Sequence, residues 1–100
     1  MARRRRKLSG SPAEHEQAQR YALHDAWDDF HASEAAANSK HCTAAFAYWN
    51  SGVSNYAVHE ANVKWAPKGS VQKTVEKTTN EAEAAAKKAL LSKCFVKGRK

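Results

Sequence analysis

The longest stretch of patterned apolar positions runs from Cys42 to Trp65. Taken alternately three and four apart, Cys42, Phe46, Trp49, Val53, Tyr56 and Val63 share one stripe that only Glu60 interrupts, the pattern of an amphipathic helix with a wide apolar face. Five of the chain's nine aromatic residues lie here, and Ala44, Ala45, Ala47, Ser51, Gly52, Ser54, Ala57 and Ala61 between them are small enough to let another helix approach the backbone. The segment is expected to be the central helix on which the rest packs. Phe46, Trp49, Val53, Tyr56 and Trp65 are expected to form its interface with a protein partner or a second copy. Trp49, Tyr56 and Trp65 also suit stacking against unpaired bases, but in a chain this poor in leucine an aromatic stripe reads first as core.

Upstream, Ser11-Pro12-Ala13-Glu14 predicts a capping box. The Ser11 hydroxyl accepts from the Glu14 amide, the Glu14 carboxylate accepts from the Ser11 amide, and Pro12 has no amide to leave orphaned. The helix it opens is expected over about 12–37, with Ala18, Tyr21 or Ala22, Leu23, Trp27, Phe30 and Ala37 inward and Asp25, Asp28, Asp29 and Glu34 outward. Asn38-Ser39-Lys40 is the expected break, Asn38 or Ser39 capping the next helix. A continuous helix competes with this reading, because a heptad stripe can be drawn across the same point. The second helix follows over about 41–65. Gly52 costs it about 1 kcal/mol relative to alanine, yet the stripe keeps register across it, which favours a close-contact glycine over a loop that would split the helix.

Ala66-Pro67-Lys68-Gly69 stops the second helix, proline fixing the turn and glycine offering positive φ. The same residues also fit the turn of a β-hairpin over 63–72. Ser70 is expected to cap a third, alanine-rich helix reaching about Lys93, with Val71, Val75, Thr78, Ala82, Ala85, Ala89 and Leu90 inward, a Glu83–Lys87 pair outside, and Cys94, Phe95 and Val96 as a closing hook. The predicted fold is all-α: an antiparallel helical hairpin over 11–66, a third helix over 70–96 running into a basic tail, and a disordered arginine-rich arm over 1–10. In its small-residue spacing the part before Pro67 resembles a single helix-turn-helix unit of the tetratricopeptide type. That repeat's aromatic and proline positions are not matched, and no function follows from the resemblance.

Composition narrows the class. One hundred residues with four leucines (Leu8, Leu23, Leu90 and Leu91) and no isoleucine make a single small domain whose core must come from aromatics, valines and alanines, so self-association or docking would help it. Cys42 and Cys94 are too few and too far apart to read as a disulfide framework. No apolar run follows the arginines as in a secretory signal, and none is long enough for a membrane span. Two reduced thiols in a cytoplasmic protein are therefore expected, or a virion location if the chain is phage-derived. Small size and an arginine-rich start suit a phage or mobile-element accessory protein.

The formal charge of +7 is unevenly spread. Residues 1–10 carry five bases and no acid, residues 11–66 three bases against seven acids, and residues 67–100 nine bases against three acids. Two basic ends flank an acidic middle, an arrangement that points to nucleic acid or another polyanion as partner. The candidate contacts are Arg3, Arg4, Arg5, Arg6 and Lys7 at one end and Lys87, Lys88, Lys93, Lys97, Arg99 and Lys100 at the other. Arginine binds phosphate bidentately and a flexible arm needs no sequence readout; the plainer reading is a solubilising tail and a solvated lysine face.

Other chemistry is sparse. His24, Asp28 and His31 share a helical face on which a divalent metal could be drawn, although a hydrated polar face is the plainer explanation. His41 and Cys42 are adjacent, so they diverge on a helix, and Cys42 lies on the apolar stripe where an inert thiol is expected. There is no glycine-rich phosphate loop, nucleophile elbow or paired carboxylate in an apolar setting. No metal, cofactor or enzymatic activity is expected. A structural or regulatory module docking through the hairpin is the alternative to polyanion binding.

Overall fold

The computed structural model describes residues 11–95. The arginine-rich arm, expected to be disordered, and the last basic residues with Val96 lie outside the described residues. Within them are three helices and no strand: α1 (Pro12–Asn38), α2 (Cys42–Val63) and α3 (Lys73–Ala89), the last running into a π-helical turn over Leu90–Cys94. The fold is all-α, and residues 63–72 form no β-hairpin.

Local sequence explains the start of α1 directly. The Glu14 amide donates to Ser11 Oγ at 3.2 Å and the Ser11 amide donates to Glu14 Oε1 at 3.0 Å, with Pro12 in the first turn. Its end is a backbone device. The His41 amide donates to the Ala36 carbonyl at 2.8 Å and the Lys40 amide to Ala37 at 2.9 Å, closing around Lys40 at φ 64°, the pairing of a Schellman turn. The chain therefore breaks where expected, but neither Asn38 nor Ser39 caps α2. That position falls to His41, which makes no side-chain cap bond. At the second turn Gly69 takes φ 85°, and Ser70 Oγ donates to the Pro67 carbonyl at 2.7 Å. With its hydroxyl spent there Ser70 caps no helix, and Gln72 precedes α3.

The central helix is α1. It packs against both α2 and α3, whereas the α2 and α3 backbones stand apart and meet through side chains. Its partners on α2 step up as it is followed down: Ser33 Oγ donates to the Ala45 carbonyl at 2.8 Å, Ser51 and Asn55 donate to Asp29 at 2.7 and 2.8 Å, and His59 reaches the Gln19 carbonyl at 3.0 Å. The buried positions of α2 are Ala45, Gly52, His59 and Asn62. The inward line thus runs through Gly52 and His59, one position before the Val53 and Glu60 of the predicted stripe. The reason is steric. A Cβ on Gly52 would lie 2.7 Å from the Phe30 ring, so the closest approach of α1 is set by the one residue without a side chain.

The flanking aromatics follow from that rotation. Phe46, Trp49 and Tyr56 are half-buried, while Val53 is 44% and Trp65 56% exposed. On α1 the buried set is His15, Gln19, Ala22, Leu23, Ala26, Phe30, Ser33 and Ala37, so Tyr21 points outward and Asp29, expected outward, accepts from α2. On α3 it is Thr79, Ala82, Ala86 and Ala89, against the expected Thr78 and Ala85. Two apolar clusters result: Ala26, Phe30, Ala82 and Ala86 with Trp27, Trp49 and Tyr56 around them, and Ala37, Ala45, Ala89 and Leu90 with Phe46 and Cys94.

The reading of both cysteines as reduced thiols is overturned. Cys42 and Cys94 form a disulfide across 52 residues of sequence, joining the start of α2 to the π-helical turn. Folding of α3 alongside α1 brings its C-terminal end back to the α1–α2 turn, a proximity that sequence separation hides.

Candidate nucleic-acid interface

The folded body measures 50 × 32 × 18 Å. With 27 residues, α1 spans about 40 Å at 1.5 Å per residue. Ser11 marks one end of this length. Phe95 lies at the other, because Cys94 is bonded to Cys42 just beyond the end of α1. The two basic segments of the sequence therefore join the body at opposite ends.

Of the predicted contacts, Arg3, Arg4, Arg5, Arg6, Lys7, Lys97, Arg99 and Lys100 lie outside the described residues. Lys87 and Lys88 occupy the last turn of α3 and Lys93 the π-helical turn, all three exposed. They also suit the negative end of the helix dipole. The body itself is close to neutral: residues 11–95 hold nine lysines and arginines against ten acids, a formal −1. Its charge is nevertheless divided. Residues 11–63 carry two bases against seven acids, and residues 64–95 seven bases against three acids.

The structure adds Lys73 and Lys77 to this picture. Both are exposed, and at i and i+4 they share the outward side of α3 with Lys88 at i+15. Their i, i+4 spacing in the sequence is the signal that places them on one face. Among the described residues Glu16 pairs with Arg20 at 3.1 Å, and Glu76 meets the His59 ring at 2.7 Å. The expected Glu83–Lys87 pair is not formed, and none of the α3 lysines is neutralised by an acid within the described body.

At the Ser11 end the interior is polar. His59 is fully buried, with Nδ1 3.0 Å from the Gln19 carbonyl and Nε2 2.7 Å from Glu76 Oε2. Both ring nitrogens face oxygen, so Nδ1–H donates to the α1 carbonyl while Nε2 meets the Glu76 carboxyl group of α3. His15 Nδ1 donates to Asn62 Oδ1 at 2.8 Å, and Asn62 Nδ2 donates to the Val58 carbonyl at 2.9 Å. Gln19 Nε2 reaches the Ser70 carbonyl at 3.1 Å. Tyr56 stands beside this group, its ring 5.2 Å from His59; burial, then the charge of Glu76, raise its pKa above the usual 10.0, against an opposing hydrogen bond from Asn80.

The metal face drawn on the sequence does not close. Among the described residues no three His, Cys, Asp or Glu side chains stand where one ion would reach them all. His31 packs edge-on against Trp27 at 4.3 Å, and His24 and Trp27 with Val75 and Thr78 line a shallow groove of about 200 Å³ between α1 and α3. No helix among the described residues is long and apolar enough to cross a membrane. Comparison of the chain with protein-family models, curated proteins and solved structures yields no match.

Proposed function

We propose that this protein binds nucleic acid or another polyanion through its two basic ends. The observation that supports the reading is the contrast between a near-neutral body and eight cations in the fifteen residues outside it, attached at opposite ends of a helix about 40 Å long. Two short cationic segments so placed engage one polyanion at two points. The second contact is then intramolecular and strengthens the first. The sequence suggested a cytoplasmic setting; a persistent disulfide suits an oxidising compartment or a virion better.

The test is fluorescence anisotropy with labelled single- and double-stranded DNA and RNA across a salt series, on the intact chain and on chains lacking 1–10 or 96–100. Five phosphate contacts from the arm give a log-log salt slope of about −4.5 on duplex, and three more from the tail add about −2.7. Absence of binding at low salt by the intact chain would refute the reading.

One feature supports docking onto protein as a second reading. The 22-residue α2 carries a single formal charge, Glu60, and exposes Tyr48, Val53 and Val58 at 43–47%. Sedimentation velocity over a range of concentrations decides it for self-association: a dimer that survives high salt and is lost in Val53→Lys supports this face, and a monomer throughout leaves the polyanion reading alone.

A further inference from the structure

We infer that the outward face of α3 is a track for the phosphate backbone of duplex nucleic acid, running between the two basic ends. The inference rests on the polyanion reading above and assigns it a surface. Lys73, Lys77 and Lys88 share this face, Lys87 flanks it, and all are exposed. From Lys73 to Lys88 is about 22 Å at 1.5 Å per residue, or roughly six base pairs at 3.4 Å each.

Three observations carry it. Two of the three acids of α3 turn away from the track: Glu76 is turned inward to His59 at 2.7 Å and Glu83 is partly buried; Glu81, at i+4 from Lys77, is the one exposed acid on the same side and forms no ion pair with it. The remaining seven acids of the body belong to α1 and α2, so among the three helices α3, with four lysines against three acids, is the one with a cationic balance. Finally, α3 has no aromatic residue. A face that holds single strands offers rings for bases to stack on; a rigid row of lysines without rings matches a regular, sequence-independent phosphate ridge.

The experiment compares two double variants of the full chain on the same labelled duplex and on its single strand. Lys73→Gln/Lys77→Gln removes two track charges, and Lys40→Gln/Lys64→Gln removes two charges from elsewhere on the body. The track double is expected to reduce the steepness of the duplex salt slope by about 1.8, equally for unrelated duplex sequences, while the control double leaves it unchanged and both variants keep the wild-type circular dichroism. Equal losses from both doubles mean diffuse charge and overturn the track. So does a loss greater on the single strand than on the duplex, or no loss at all from the track double while wild type binds. If wild type binds no nucleic acid, the polyanion reading itself fails and takes the track with it.

Discussion

The two ends of the bundle are held by different means. Around the α1–α2 turn the buried side chains are Ala37, Ala45, Ala89 and Leu90, Phe46 meets Phe95 edge-on at 5.2 Å, and the Cys42–Cys94 bond closes the end. Around Ser11 the interior is His15, Gln19, His59, Asn62, Ser70 and Thr79, joined by directed hydrogen bonds. Alanines remove little apolar area from water, about 0.8 kcal/mol per methylene-sized group, so the apolar end needs a crosslink to hold it. The polar end instead specifies neighbours: one histidine ring fixes α2 to both α1 and α3. A small chain short of leucine thus reaches a fixed arrangement by covalent closure at one end and polar complementarity at the other.

The largest expected effect comes from opening the closed end. In the chain-entropy account a bond spanning 52 residues stabilises by about 4 kcal/mol, and Cys42→Ala/Cys94→Ala or reduction should remove that amount. Urea unfolding with and without a dithiol measures it. Amide exchange should rise first near Ala89 and Leu90 while the Gln19–Leu23 region stays protected. A midpoint that does not move on reduction would mean that alanine packing suffices, and the contrast between the ends would fall.

The reciprocal perturbation is His59→Ala. It leaves a cavity and a partly buried Glu76 carboxylate without its partner, and should cost roughly 3 kcal/mol. Protection should now be lost at the Ser11 end, around Gln19 and Glu76, with the disulfide end retained. Uniform loss would show that the two ends unfold as one unit. Gly52 lies between them. Gly52→Ala gains about 1 kcal/mol of helix propensity but forces a methyl to within 2.7 Å of Phe30, and overpacking of that kind costs roughly 1–3 kcal/mol. A net loss of about 1 kcal/mol is expected, recovered in part by adding Phe30→Leu; a more stable Gly52→Ala would show that α1 and α2 can separate freely.

These residues also mark what the sequence could reveal. The capping box at Ser11, the break before His41, the close-contact glycine and the turn at Gly69 are local, each decided by a few neighbouring residues, and they were legible. The inward line of α2 was misplaced by one position because apolar character was followed where size governs: Ala45, Gly52 and His59 recur every seven residues, and that repeat was the available signal. The polar end was missed because His15, Gln19 and Asn62 look solvent-facing until their partners on other helices are in place. The disulfide depends wholly on tertiary proximity. Of the candidate site, the two basic ends were visible in composition and the lysine face of α3 in the helical repeat, but the separation of those ends along α1 required the packing.

The smallest effect tests the polar end from its margin. Tyr56 has a pKa raised by burial and by Glu76, so the folded state favours the neutral phenol and, at alkaline pH, binds more protons than the unfolded chain. Stability from this source is complete below the unfolded value near 10 and is lost as pH rises through the higher folded value. Unfolding free energy should therefore fall across this range in the wild-type chain and fall less in Tyr56→Phe, with little difference between the two at neutral pH. Tyr21→Phe serves as the control, since Tyr21 is 65% exposed. If it flattens the alkaline limb as much as Tyr56→Phe, the effect belongs to tyrosine ionisation in general, and Tyr56 is no part of the polar end.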